Sequence, residues 1–228
     1  MLISSGTLGY LRLGKAEWWF EMANEKRVTL VVASRNSRKV NEIRRIFAEY
    51  MPHVEWTFLS AHDLGFPEIE ETGETFMENA AIKAMAGARY SGRICIGEDS
   101  GIEVDKLGGA PGVRSHRFSD SGSDEDNNQL LLRLLKDVPW AERTCRYKCA
   151  IAIADTEGII GQVEGTVEGI IDVEPKGSNG FGYDPIFYSQ ELGKTFGQAS
   201  DSEKDSISHR RRAVENLMNL AKDYFTDW

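Results

Sequence analysis

Glu71-Thr-Gly-Glu-Thr-Phe-Met-Glu-Asn-Ala-Ala-Ile-Lys83, followed by Glu98-Asp99-Ser100-Gly101 at the end of an apolar run, sets a loop, a helix and a strand in succession. Thr75-Phe-Met-Glu78 reads as a capping box, so Gly73 lies in the loop before the helix, which runs to about Ser91-Gly92. Thr75, Asn79 and Lys83 are four apart and share one face. Glu78 is accounted for by the cap. Glu71 has no such role and sits in a loop free to bend toward a metal. Ile94-Cys-Ile-Gly97 reads as a strand that ends at Glu98-Asp99. Acidic oxygens that can hold a hard cation, beside a fixed ammonium, suit chemistry on a phosphate group. Asp99 can serve as base and as metal ligand, with Ser100-Gly101 allowing close approach; an ordinary Asp-Ser-Gly turn is the competing reading.

Outward from this stretch, strands and helices interleave, which predicts an α/β fold. Val28 to Ala33 is a short β-branched run, Ser34 to Lys39 the turn after it, and Val40 to Tyr50 a helix with Ile43, Ile46 and Phe47 on one side. Val54 to Leu59 reads as a strand, Gly108 to Gly112 as a turn cluster and Asp124 to Lys136 as a helix. Arg143 to Asp155 has a strand pattern, and Ile159 to Val173 reads as two strand pieces joined near Gly165. Pro175 to Asp184 is a glycine-rich loop long enough to suggest binding. A last helix falls within 203–225, with Ser202 and Ser206 both acceptable as its cap.

The 228 residues suit one domain or one domain with two lobes. With 36 acidic against 27 basic residues, duplex DNA and acidic membrane surfaces are poor partners. Positive charge for a phosphate-bearing ligand must be local, and Arg35, Arg38, Lys39, Lys83, Lys204 and Arg210 are the candidates. Arg210-Arg211-Arg212 reads as a solvated helix face. Cys95, Cys145 and Cys149 lack metal-type spacing and read as reduced thiols of an intracellular, cytoplasmic protein, Cys95 in the core. No apolar run reaches the roughly 18 residues of a membrane helix. Residues 1–21 are broken by Arg12, Lys15 and Glu17 and do not form a secretory signal. Met22-Ala-Asn-Glu-Lys-Arg-Val leads into the first strand as a natural start would. Residues 1–21 are therefore an extension, a docking segment carrying Trp18-Trp19-Phe20, or, preferably, the product of an upstream start codon; 22–228 is the domain.

Three more motifs carry chemistry. Ser34-Arg-Asn-Ser-Arg-Lys39 follows a strand and opens a helix, where backbone N–H groups and the helix dipole favour an anion. Phe181-Gly-Tyr-Asp184 offers an aromatic that can stack on a purine, with Gly182 letting the backbone close on the ring; plain core packing of Phe181 is the alternative. Ser208-His209-Arg210 lies near the last helix start. Gly193-Lys-Thr195 is no Walker loop, because position 188 is Tyr where that motif needs glycine.

E-x-G-x-T-F-x-E-N-A-x-x-K-A and D-S-G-I-E-V-D-x-L-G-G-A-P-G-V resemble the inosine triphosphate pyrophosphatase family. Ser34–Lys39, Gly180-Phe-Gly-Tyr-Asp-Pro185 and Lys204-Asp-Ser-Ile-Ser-His-Arg210 agree with it in order and spacing, from about Arg27 to Ala221. The resemblance implies a mixed central sheet flanked by helices, in two lobes with the active cleft between them. It implies Mg²⁺, with Asp99 as general base and metal ligand and Glu71 as companion ligand. Phosphate would meet Ser34, Arg35, Asn36, Ser37, Arg38, Lys39, Lys83, Ser100 and Lys204, and the base would meet Phe181, Gly182, Tyr183, Asp184, His209 and Arg210. Ser34, Asn36 and Lys39 match the family's phosphate loop, whereas Arg35 stands where glycine is frequent. Glu98 stands where the family often has Asp and is kept out of the metal's shell. The implied reaction is hydrolysis of ITP, dITP and XTP to monophosphate and pyrophosphate, by a homodimer that cleanses the nucleotide pool. A similar enzyme acting on other non-standard or pyrimidine nucleotides is the nearer alternative. A non-catalytic nucleotide-binding regulator is disfavoured by the presence of Glu71, Lys83 and Asp99.

Overall fold

The computed structural model describes residues 10–11 and 27–223. In chain order the elements are β1 (Tyr10–Leu11), β2 (Arg27–Val32), α1 (Ser37–Tyr50), β3 (Glu55–Ser60), α2 (Phe76–Ser91) and β4 (Cys95–Val104). They continue with α3 (Asp124–Leu134), β5 (Thr144–Ala154), β6 (Ile159–Ile171), β7 (Phe187–Ser189), β8 (Lys194–Thr195), α4 (Asp201–Ile207) and α5 (His209–Asp223). The sheet order is β3-β2-β4-β5-β6-β7-β8, with β1 on β6. The sheet is mixed, as expected: β2 is parallel to β3 and β4, while β7 is antiparallel to β6 and β8. No helix among the described residues is long and apolar enough to cross a membrane.

Two compact units divide the chain, Met1–Asp99 with Ala150–Gly165 and Arg212–Trp228, and Ser100–Cys149 with Thr166–Arg211. In the first, Leu30, Val31 and Val32 of β2 are buried, as a central parallel strand requires. Helix α1 lays Val40, Ile43, Ile46 and Phe47 inward, and Phe47 meets Trp56 and Phe58 edge-on at 5.2 and 5.6 Å. Asn36 caps α1 by accepting from the N–H groups of Arg38 and Lys39, which moves the helix start into the expected turn. Helix α2 begins at the Thr75–Glu78 capping box and stops at left-handed Gly92. The second unit has its own core, in which Leu131 and Leu135 meet Ile102, Tyr147, Val167, Phe187 and Phe196. Cys95, Cys145 and Cys149 are buried free thiols, and burial pushes Cys95 up to about 12.

Three expectations need correction. β4 does not end at Glu98-Asp99 but continues to Val104, so the acidic pair lies mid-strand, buried on both faces. β6 is one strand of 13 residues, because its in–out alternation passes through Gly165 in phase and Gly165 is not among the positive-φ glycines. The last helix is two helices broken at Ser208, which is extended (φ −64, ψ 160). The caps are Ser200, boxed with Glu203, and Ser208, whose Oγ accepts from Arg211 N–H at 3.1 Å; Ser206 instead donates back to the Glu203 carbonyl. The short β7 and β8 had no alternating run long enough to announce them.

Tyr10 and Leu11 pair antiparallel with Gln162 and Gly161. Trp18-Trp19-Phe20 lies outside the described residues. Two ladder positions are a small part of the sheet, so deleting residues 1–21 should lower Tm by no more than about 5 °C. A much larger fall in a thermal melt would show that the segment is integral to the fold.

Candidate active site

Helix α2 and strand β4 fit together through small residues, and this contact sets the polar geometry. Ala80, Ala84 and Ala88 are fully buried on one face of α2. A Cβ on Gly97 would sit 2.0 Å from the Ala80 carbonyl oxygen and 2.4 Å from Ala84 N, and one on Gly87 would meet Cys95 Sγ at 2.3 Å. Side chains at 95, 97 and 99 share one face of the strand. The register that puts glycine against Ala80 and Ala84 therefore brings Asp99 to Asn79 and Lys83, on the adjoining strip of the helix. Lys83 Nζ donates to Asp99 Oδ1 at 2.9 Å and Asn79 Nδ2 to Asp99 Oδ2 at 3.2 Å.

The loop carrying Glu71 closes on the same lysine. Glu71 Oε1 lies 2.7 Å from Lys83 Nζ. Asn79 Oδ1 accepts from Gly73 N–H at 2.8 Å, and a Cβ at Gly73 would meet that oxygen at 2.8 Å and Glu78 Cβ at 2.6 Å. Gly73 is thus what lets the loop lie against the helix. Glu78 caps, as read from sequence, accepting from Glu74 and Thr75 N–H. Glu98 points to the opposite face of β4, where Lys39 Nζ pairs with it at 3.0 Å.

Electrostatics make Asp99 the more basic of ordinary carboxylates. Burial raises its pKa, and Lys83 and Lys39 draw it back without cancelling that rise. Burial alone would lower the Lys83 pKa, but Asp99, Glu71 and Glu98 together raise it, so the ammonium stays charged. Glu71 and Asp99 thus converge on one buried ammonium and are the hard-oxygen groups a divalent metal could use; among the described residues no three His, Cys, Asp or Glu gather as in a metal site. Ser34 is half-buried and its Oγ accepts from Asn36 N–H at 3.2 Å; Arg35, Asn36, Ser37 and Arg38 are exposed. Arg35 has an ordinary backbone, since no non-glycine residue among those described has positive φ.

The second unit carries the Gly180–Asp184 loop. Asp184, 1% exposed, works inside it: Oδ2 accepts from Phe181 N–H at 2.8 Å and Lys204 Nζ at 2.6 Å, and Oδ1 accepts from Tyr147 Oη at 3.3 Å. Gly180 must be glycine, because its φ is +72 and a Cβ would lie 2.0 Å from Asp184 Oδ2. The half-buried Phe181 ring has Lys204 Nζ 4.6 Å and Arg210 Cζ 5.6 Å from its centroid. Arg210 is fully buried and donates from Nη2 to Ser100 Oγ at 2.9 Å. His209 stacks on Tyr147 at 4.6 Å and 10°. Tyr183 turns inward and donates to the Ser115 carbonyl at 2.8 Å.

The structure thus joins Glu71, Lys83 and Asp99 in one set, and Phe181, Asp184, Lys204 and Arg210 in another. The arginine run is not a solvated face: Arg210 is buried, and Arg211 and Arg212 are half-buried. Gly193 sits at the β7–β8 turn with φ +67, and Lys194 pairs with Glu203, far from any phosphate-loop design. Asn79 was missed as a site residue. Its place on one helical face with Lys83 was the available signal.

Glu71, Lys83 and Asp99 belong to the first unit, and the Phe181 ring with its two neighbouring cations to the second. Residues 30–220 match the Ham1 family, and the chain belongs to it. The dITP/XTP pyrophosphatase of Desulforamulus reducens is 45% identical over 193 residues, covering 84% of this chain and 94% of that protein. The dITP/XTP pyrophosphatase of Exiguobacterium sibiricum is 46% identical over 189 residues, covering 82% and 94%. Among solved structures, a HAM1 protein from Coxiella burnetii superposes with a TM-score of 0.75 at 35% identity, covering 86% of this chain and 99% of its own. The Staphylococcus aureus Ham1 protein gives 0.73 at 36% identity, covering 86% and 100%.

Proposed function

We propose that this chain is a magnesium-dependent hydrolase that cleaves ITP, dITP and XTP to the monophosphate and pyrophosphate, clearing deaminated purines from the nucleotide pool. The observation that carries the reading is the buried Asp99 held by Lys83 and Asn79, with Glu71 on the same lysine. It stands in a chain whose relatives above 40% identity bear the name dITP/XTP pyrophosphatase.

Asp99 takes the proton from the water that attacks the α-phosphorus. Burial raises its pKa, which makes it a stronger base than an ordinary carboxylate. Lys83 and Lys39 offset charge on the phosphate oxygens, and Asn79 fixes the Asp99 carboxylate plane. The donor set fits magnesium, which commonly takes one or two carboxylates and completes its shell with water and phosphate oxygens. Bound by Glu71 and Asp99, Mg²⁺ would supply Lewis-acid polarisation and lower the pKa of the attacking water. Phe181 stacks the base, and Arg210 and His209 meet its edge. Lys204, whose Nζ lies 4.6 Å from the Phe181 ring centroid, meets phosphate. The protein acts as a cytoplasmic homodimer, which sedimentation of the purified chain can check.

Incubation with ITP and Mg²⁺ should release IMP and pyrophosphate; release of orthophosphate would overturn the reading. A panel of purine and pyrimidine triphosphates then tests the substrate class. Glu71→Gln should raise the magnesium concentration needed for half-maximal rate about tenfold or more, with a smaller loss at saturating metal. An unchanged magnesium titration would remove Glu71 from the ligand set.

A further inference from the structure

Helix α3 opens with Ser123-Asp-Glu-Asp-Asn-Asn-Gln129, a run of short polar side chains that compete with helical backbone bonding. Ser123, Glu125, Asp126 and Gln129 are exposed, but Asn127 and Asn128 turn inward, 2% and 7% exposed. Asn127 holds one loop, accepting from Ser119 N–H at 2.7 Å and donating to the His116 carbonyl at 3.3 Å. Asp124 and Asn128, one turn apart on the same face, both reach Gly182. Asp124 Oδ2 accepts from Gly182 N–H at 2.9 Å, and Asn128 Nδ2 donates to the Gly182 carbonyl at 3.0 Å. One helix face therefore takes both hydrogen-bonding groups of a single loop residue, itself in the left-handed conformation (φ +62). The buried Asn128 Oδ1 has no hydrogen-bond partner, so the bond to Gly182 is what orients this amide.

Gly182 directly follows Phe181, whose own N–H is held by Asp184. The backbone on both sides of the aromatic is pinned, which fixes the point and direction from which the ring projects toward Lys204 and Arg210. Stacking on an aromatic face tolerates every base, because each has a π-face. Choice among bases comes from edge groups meeting donors and acceptors in register. A shelf that tilts would still stack a purine but would lose that register.

We propose that Asp124 and Asn128 are positioning residues that set base selectivity by fixing the Phe181 ring through Gly182, an inference that rests on Phe181 being the purine shelf. Asp124→Ala and Asn128→Leu should narrow the ratio of kcat/KM for ITP over ATP about tenfold, by losing ITP more than ATP. Asp124→Asn should keep the ratio, since its side-chain oxygen still accepts from Gly182. In the nucleotide-free protein, Gly182 amide exchange should quicken at least tenfold in Asp124→Ala and stay slow in Asp124→Asn. A purely structural role predicts a lower Tm with an unchanged ratio, and that outcome overturns the proposal. So does a ratio that changes equally in Asp124→Asn and Asp124→Ala. Should Asp124→Ala not fold, Asn128→Asp, which sets a carboxylate against the Gly182 carbonyl, must narrow the ratio or the proposal fails. If the parent protein shows no preference for ITP, the proposed substrate class is at fault, whereas Gly182 exchange still reads the clamp.

Discussion

Asp99→Asn should lower kcat by roughly a hundredfold to ten-thousandfold while the protein remains folded, because volume is kept and only basicity and charge are lost. Asn can still accept from Lys83 but cannot take a proton from water. The parent activity should fall on the acid side with an apparent pKa above the ordinary aspartate value of 3.8, since burial raises this group. The sign for stability is opposite to that of a salt-bridged surface aspartate. A carboxyl whose pKa is higher folded than unfolded disfavours the fold once ionised. That cost is absent below the unfolded pKa, grows as pH rises between the two values and is constant above them. Asp99→Asn removes that cost but also one of the carboxylates that keep the buried Lys83 ammonium charged, leaving Glu71 beside it, so a thermal melt should find the variant still folded at neutral pH. Near-normal turnover by a folded Asp99→Asn protein would take Asp99 out of the mechanism.

Arg210→Met is expected to produce the second large effect. Hypoxanthine and xanthine carry an oxygen acceptor at C6, where adenine carries an amino donor. Arginine only donates. Arg210 aimed at that edge accepts the 6-oxo bases and sets adenine's amino group against a donor, a mismatch costing about 1–3 kcal/mol. Methionine is the better replacement than alanine, because Arg210 is the largest fully buried side chain and truncation would open a cavity. The variant should lose kcat/KM on ITP and close much of the gap to ATP, by roughly tenfold to a hundredfold. Equal losses on both nucleotides would mean that Arg210, through its bond to Ser100, holds structure or phosphate instead.

What could be read from the sequence follows the range over which each signal acts. The capping box at Thr75–Glu78 and the buried face of α1 are local patterns, and both stand where they were expected. The five motif blocks brought the right family. Long-range contacts stayed hidden. Nothing within Gly180–Asp184 says that Asp184 turns back onto Lys204 and Tyr147, residues 20 and 37 positions away. Gly165 reads as a joint between two strand pieces, yet the in–out burial passes through it in phase and β6 is continuous. Asp99 reads as a strand-end carboxylate, yet β4 runs on through it and Lys83 and Asn79 reach it from α2. Tertiary partners overrode local preference in each instance.

Gly97 touches no polar group of the site, and its contribution is the hydrogen atom it carries in place of a side chain. With Ala80 and Ala84 backbone at 2.0 and 2.4 Å from where a methyl would be, even alanine must lever α2 away from β4. Lys83 and Asn79 ride on that helix and would leave Asp99 together. A single methyl at position 97 would therefore undo both contacts to Asp99 without removing one polar atom.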